Sequence, residues 1–153
     1  MSTIADLIGG QADELARHAL SVGDVHLLPL GADEQITAKD GKDRRDKFYV
    51  VLGFDKDGNT IGGVVINSRL NANLPTVITD YHYPVSAAQL PFLKHDSFVN
   101  CSKLVMVRKG KINSGTFRWH IEDNELLGTI AKTLGECPLV SRQQLKEFSI
   151  QTA

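Results

Sequence analysis

The chain has 153 residues, the length of one domain, and its 42% hydrophobic and 23% charged residues with a net charge of −1 are ordinary for a globular protein. No apolar stretch approaches the ~20 residues that a membrane span requires, and Asp6, Asp13 and Glu14 stand where a signal peptide would be apolar. We therefore expect one cytoplasmic domain over residues 1–153 with no membrane contact.

The first half of the chain predicts a helix followed by three strands. Residues 1–21 carry apolar residues at near-helical spacing and predict an N-terminal helical extension. The segment VHLLPL predicts a first strand, and the polar segment 31–47 predicts a long loop. A fully apolar strand, Phe48–Phe54, then turns at Asp57-Gly58 into the strand TIGGVVINS, so these two strands are expected to form a hairpin. The glycine pair within TIGGVVINS predicts a bulge or a close backbone approach.

The second half predicts two more strands and two helices. PTVITDY, residues 75–81, reads as a strand, and SFVNCSKLVMVRK, residues 97–109, reads as the longest strand. An apolar stripe from Ile121 to Leu134 predicts a helix, and the spacing of Ser141 and Gln144 predicts a capping box for a last short helix. Five short strands without βαβ alternation favour a mainly β fold, a small antiparallel barrel with helices at both ends.

Charge is unevenly distributed along the chain. Residues 1–38 hold six acids and one base, residues 39–118 hold thirteen bases and seven acids, and residues 119–153 hold five acids and three bases. A segment of one sign suits a polyanion, because each phosphate that is neutralised releases counterions. The alternative is that these cations only solvate strand edges and prevent aggregation.

Metal and nucleotide motifs are absent from the sequence. Cys101 and Cys137 stand alone, and the five histidines show no metal-ligand spacing, so we expect free buried thiols, no metal and no cofactor. No phosphate-binding glycine loop and no G-x-S-x-G turn is present.

Metal-free phosphodiester chemistry remains as the hypothesis. RNA can be cut by its own 2′-hydroxyl when a protein positions the strand, transfers protons and stabilises charge on the phosphate. The hairpin brings cations at the start of one strand to the same rim as an amide and a hydroxyl at the end of the next. The expected catalytic residues are Lys47, Arg45, Ser68 and Asn67. The expected nucleic-acid contacts are Lys42, Arg44, Arg69, His82, Lys109 and Lys111.

Each of these residues also has a plainer interpretation. Lys47 could be a solvated cation at a strand start, and Asn67-Ser68 a turn pair that ends a strand. His82 could stack on a base, shuttle a proton or simply pack on the surface. Trp119 could be a core plug or an oligomer contact, or it could stack on a base.

With these segments in order, the chain resembles the MazF/PemK toxin family over about residues 22–140. The matching pieces are GDVHL, KFYVVL, VVINS, NLPTVITDY, HDSFVNCSKLVMVRKGKI and NELLGTIAKTL. The resemblance implies an SH3-like barrel, a homodimer, an antitoxin partner, and metal-independent endoribonuclease activity on single-stranded RNA. The family arginine falls on Lys47, with Phe48 in place of the proline that follows it, and the family hydroxyl falls on Asn67 or Ser68. The alternative that the residues leave open is a catalytically degenerate barrel that binds nucleic acid or a protein.

Overall fold

The computed structural model describes residues 20–37 and 43–152. The predicted N-terminal helix lies almost wholly outside these residues, and so does Lys42. The strands are β1 Asp24–Gly31, β2 Arg44–Phe54, β3 Thr60–Asn67, β4 His82–Val85, β5 Ser97–Asn100, β6 Val105–Arg108 and β7 Thr116–His120. The α-helices are α1 Thr76–Thr79, α2 Asn124–Glu136 and α3 Arg142–Glu147, and 3₁₀ helices span Ala32–Glu34 and Lys109–Ser114.

The described strands form one antiparallel sheet, which confirms the mainly β class. Its order is β4-β5-β3-β2-β1-β7, and β6 also pairs with β3. The pairings among the described residues do not close the sheet, so they do not by themselves define the predicted barrel. None of the helices in the described part of the chain is long and apolar enough to cross a membrane.

The second half of strand β2 is buried on both faces, as the unbroken apolar sequence of Phe48–Phe54 predicts. Val50 and Leu52 belong to one core cluster, which also takes in α2 and α3, whereas Tyr49 and Val51 belong to a second cluster on the opposite face. Adjacent residues of a strand point to opposite faces, so a strand without polar alternation needs cover on both sides.

The hairpin between β2 and β3 forms as predicted. Gly58 adopts a φ of 72° in the turn, and Phe48 pairs with Ile66 near the far end of the ladder. The register shifts between Val51 and Gly53, opposite the predicted glycine pair. A Cβ at Gly63 would lie only 2.1 Å from the Val50 carbonyl oxygen, so this close approach requires glycine.

Strand β2 begins earlier than the sequence predicts. It starts at Arg44 rather than at Phe48, because Arg44 to Lys47 pair with the last residues of β1, from Gly31 to Leu28. The predicted loop 31–47 is therefore shorter at both ends. Arg45 and Lys47, two residues apart on a strand, project from the same face of the sheet.

The prediction of a strand at residues 75–81 is wrong. Thr76–Thr79 forms a short helix whose first turn is closed by bonds from the Ile78 and Thr79 amides to the Pro75 carbonyl. The preference of β-branched residues for strands is weak, and tertiary contacts override it here.

The predicted long strand at residues 97–109 is divided into β5 and β6. Both strands pair with the same edge of β3, but Asn100 interrupts them by accepting hydrogen bonds from the Ser102 amide and hydroxyl. An asparagine that bonds the backbone two residues ahead forms a turn and ends a strand.

The C-terminal helices form where the sequence predicts them. Asp123 caps α2 by accepting from the Glu125 and Leu126 amides, and Leu126, Ile130 and Leu134 bury one face of the helix. Ser141 caps α3 through a bond from the Gln144 amide to its hydroxyl, which is one half of the predicted capping box. The Gln144 side-chain nitrogen lies 3.8 Å from the Met106 sulfur instead of completing the box.

Candidate functional site

The hairpin brings Lys47 and Asn67 into direct contact. Because Phe48 pairs with Ile66, the next residues outward, Lys47 and Asn67, face each other across the two strands. The Lys47 ammonium donates a hydrogen bond of 2.6 Å to the Asn67 side-chain oxygen. The sequence prediction that these two groups share one rim of the sheet is therefore met in the geometry.

His82 extends this pair into a chain of three side chains. Asn67 Nδ2 lies 3.2 Å from His82 Nε2, and His82 Nδ1 lies 2.9 Å from the Ile78 carbonyl oxygen. A carbonyl can only accept, so Nδ1 carries the proton and the neutral ring accepts from the Asn67 amide through Nε2. Both ring nitrogens of this buried histidine are thus occupied by structural hydrogen bonds.

A cavity of about 480 Å³ opens beside this chain. We call it the basic cavity. Its lining combines four cations and one carboxylate with several apolar side chains. The charged residues that line it are Arg45, Asp46, Lys47, Lys94 and Arg118. The volume is in the range of small-ligand sites, and the excess of cations favours an anionic ligand.

Three further residues that line the basic cavity are polar or aromatic. Ser68 and His95 line it, and Phe92, which also lines it, packs edge-on against Phe48 with ring centroids 4.9 Å apart. His95 Nδ1 lies 2.9 Å from the Asp96 carbonyl oxygen and donates to it, so Nε2 is the ring nitrogen that this bond does not use. A hydroxyl, an imidazole and an apolar surface therefore accompany the cations.

Other predicted nucleic-acid contacts lie elsewhere on the molecule or serve other partners. Lys111 forms an ion pair of 3.2 Å with the buried Glu34. Lys109 is exposed, and its amide donates to the Asn59 carbonyl at the turn of the hairpin, the opposite end of β3 from Asn67. Arg44 and Arg69 are exposed and do not line the basic cavity.

Three basic side chains that line the basic cavity were not among the predicted site residues: Lys94, His95 and Arg118. Lys94 and His95 belong to an irregular segment, and Arg118 lies on β7. No spacing in the sequence links them to the hairpin, because they reach it only through the order of the strands. The absence of acids from Ser97 to Ile121 was the one available signal for Arg118.

Cys101 and Cys137 are free and buried, as predicted. Burial raises the pKa of the Cys101 thiol to about 12, and Cys137 adds to the shift. Within residues 20–37 and 43–152, no three His, Cys, Asp or Glu side chains are grouped to hold a metal ion.

Compared with models of known protein families, the sequence matches none. A search of curated proteins also finds no match.

Proposed function

We propose that the chain is a MazF/PemK-like endoribonuclease that cleaves single-stranded RNA without a metal ion. The observation that carries this proposal is the convergence of Arg45, Lys47 and Ser68 on one basic cavity. The resemblance assigns catalysis to this end of the hairpin, and the sheet is consistent with the SH3-like barrel that the resemblance implies. A homodimer and a protein antitoxin in the cytoplasm belong to the same proposal.

The proposed reaction uses the substrate's own nucleophile. The 2′-oxygen attacks the adjacent phosphorus, a new 2′-O–P bond forms, and the bond from phosphorus to the 5′-oxygen breaks. His95 Nε2 takes the proton of the 2′-hydroxyl, and water returns a proton to the leaving 5′-oxygen. The products are a 2′,3′-cyclic phosphate and a 5′-hydroxyl.

The cations stabilise the charge that develops during this step. Arg45, Lys47 and Arg118 line the cavity that receives the phosphate, and Ser68 offers a hydroxyl hydrogen bond to its oxygens. Asn67 is a positioning residue, because its hydrogen bond holds the Lys47 ammonium at the rim. His82 is excluded as the base, since both of its nitrogens are engaged.

A second candidate function is RNA binding without turnover. Lysine stands where the family has arginine, and its ammonium cannot make the bidentate contact that a guanidinium makes to phosphate. That ammonium is also already held by Asn67. A non-catalytic member would bind RNA in a salt-dependent way and release no product.

The experiment compares RNA cleavage by point variants in the presence of EDTA. We expect Arg45→Ala and Lys47→Ala each to lower the cleavage rate by about 10²-fold, since each removes one stabilising donor. Lys56→Ala is the matched control, because it removes an exposed lysine at the turn of the same hairpin. Its rate should stay within about twofold of wild type.

Two results would separate the candidates. Binding of RNA at low salt without cleavage over a broad panel of sequences would favour the non-catalytic function. Cleavage that is equally fast in wild type and in Lys47→Ala would contradict the site itself.

A further inference from the structure

Strand β7 presents two large aromatic side chains to solvent at the edge of the sheet. Phe117 is 49% exposed and Trp119 is 40% exposed, and every other residue of this strand is exposed as well. The sequence interpretation of Trp119 as a core plug is therefore wrong. Aromatic side chains of this size make strong contacts when a ligand covers them.

The aromatic side chains adjoin the basic cavity through Arg118. Phe117, Trp119 and His120 line a second cavity of about 490 Å³, which we call the aromatic cavity. Arg118 lines both cavities, so a chain of nucleotides that leaves the basic cavity meets Trp119 next. A cation beside an exposed aromatic side chain suits a ligand that alternates phosphates with flat bases.

Strand β1 contacts two side chains of β7 close to Trp119. His120 Nδ1 lies 2.7 Å from a carboxylate oxygen of Asp24, which is buried and also accepts hydrogen bonds from the amide and hydroxyl of Ser21. Phe117 packs edge-on against the His26 ring, with centroids 5.5 Å apart. Both contacts tie β7 to β1 on either side of Trp119, so the strand needs little ordering when a ligand binds.

We propose that Trp119 forms a base-stacking subsite for the nucleotide adjacent to the phosphate in the basic cavity. The ligand is single-stranded RNA, so this inference rests on the proposed function. It adds a residue class that the hairpin lacks, because the cations hold the backbone whereas the indole ring holds a base. Stacking is tolerant of sequence, since every base has a π-face.

Trp119 is the single tryptophan of the chain, so its fluorescence reports directly on this surface. The probe is a short oligoribonucleotide with 2′-O-methyl groups, which cannot be cleaved by 2′-hydroxyl attack. We expect its binding to quench the Trp119 emission, with the same dissociation constant that the fluorescence anisotropy of an end-labelled copy gives.

Point variants distinguish the contribution of stacking to RNA binding from the contribution of charge. Trp119→Ala should weaken binding about tenfold without changing the slope of log affinity against log salt, and Trp119→Phe should retain most of the affinity. Arg118→Ala should lower the magnitude of that slope by about one. Leu139→Ala is the control, because it removes another exposed apolar side chain outside both cavities. Thermal unfolding checks that each variant is folded.

Three outcomes would contradict the stacking subsite, and they can be told apart. If anisotropy reports binding while Trp119 emission and the Trp119→Ala affinity are unchanged, the stacking subsite is wrong and the proposed function stands. If the emission changes with protein concentration but not with oligonucleotide, Trp119 lies between copies of the chain and the subsite is wrong. If no binding occurs at low salt, both the subsite and the proposed function fail.

Discussion

The amide of Asn67 can adopt only one orientation in its network. Its oxygen accepts from Lys47 and its nitrogen donates to His82, whose own donor is used by the Ile78 carbonyl. A reversed amide would set donor against donor at Lys47. The rim of the basic cavity is therefore ordered before any ligand arrives, which is the condition for electrostatic stabilisation without reorganisation.

Replacing Asn67 by aspartate tests this order at the scale of one residue. The new carboxylate keeps the size of the side chain but adds a negative charge beside Lys47. We expect the affinity for an uncleavable RNA to fall several-fold and the salt slope to lose about one unit. The measurement is anisotropy over a range of salt concentrations.

Asn59→Asp is the control for this prediction. Asn59 is exposed in the turn at the opposite end of the hairpin, so the same charge change there lies away from the basic cavity. Equal losses of affinity in the two variants would show that net charge, rather than the rim, governs binding.

The contact of Lys47 with Asn67 was predictable from the sequence. His82, the third residue of the network, was predicted as a site residue, but its hydrogen bonds were not predictable. A hairpin with a clear turn fixes the register of its two strands, so the residues at its open end can be paired by counting. His82 was a candidate for RNA contact, but its bond to Ile78 depends on α1, which the sequence presents as a strand. The β-branched residues of that segment favour a strand, so no local pattern indicates the helix.

At the scale of the elements, the link between β1 and β7 determines where the aromatic residues lie. Asp24 is buried, with a side chain 3% exposed, and it binds His120 and Ser21 at once. The ladder between these strands also contains a bulge between Val25 and His26. Bulges redirect side chains, and this one adjoins the position of Trp119.

Asp24→Asn tests this link. The asparagine oxygen can still accept, but the bond is no longer assisted by charge, so we expect the free energy of unfolding to fall by about 1–3 kcal/mol. Urea denaturation followed by circular dichroism measures it. Glu122→Gln, an exposed acid just beyond β7, should change stability by less than about 0.5 kcal/mol. An Asp24→Asn protein as stable as wild type would mean that this pair does not anchor the strand.

The order of the strands in the sheet could not be predicted from the sequence. Local patterns predict where a strand begins and turns. Arg118 approaches the hairpin because β7 pairs with β1, and His95 approaches it because the following strand, β5, pairs with β3. Such contacts depend on pairings between segments far apart in the chain, for which the sequence carries no local signal. For this reason, the predicted site contained the hairpin residues and lacked the rest of the cavity wall.

At the scale of the whole molecule, two core clusters enclose the central hairpin and bury titratable groups with it. Burial raises the pKa of Cys101 from 9.0 to about 12 and raises the pKa of Tyr49 well above 10.0. The Tyr49 hydroxyl donates to the Val105 carbonyl at 2.7 Å, so its proton also links β2 to β6. Both groups stay protonated in the folded protein at a pH where the unfolded chain begins to lose protons.

Alkaline pH should therefore destabilise the fold. Above about pH 9 the unfolded state binds fewer protons than the folded state, so the free energy of unfolding falls as the pH rises. Cys101 alone contributes a loss of about 1 kcal/mol per pH unit in this range. Urea denaturation at several pH values measures the slope, which should be shallower in Cys101→Ala. A stability that is flat from about pH 8 to 10 would contradict the burial of these groups.

We propose that the basic cavity cleaves RNA through the substrate's own 2′-hydroxyl. The most direct measurement uses an oligoribonucleotide with one mapped cleavage site and a matched copy that lacks the 2′-hydroxyl at that nucleotide alone, both in EDTA. We expect a 2′,3′-cyclic phosphate and a 5′-hydroxyl from the first and no cleavage at that position of the second. Cleavage of both substrates at the same rate would contradict this mechanism.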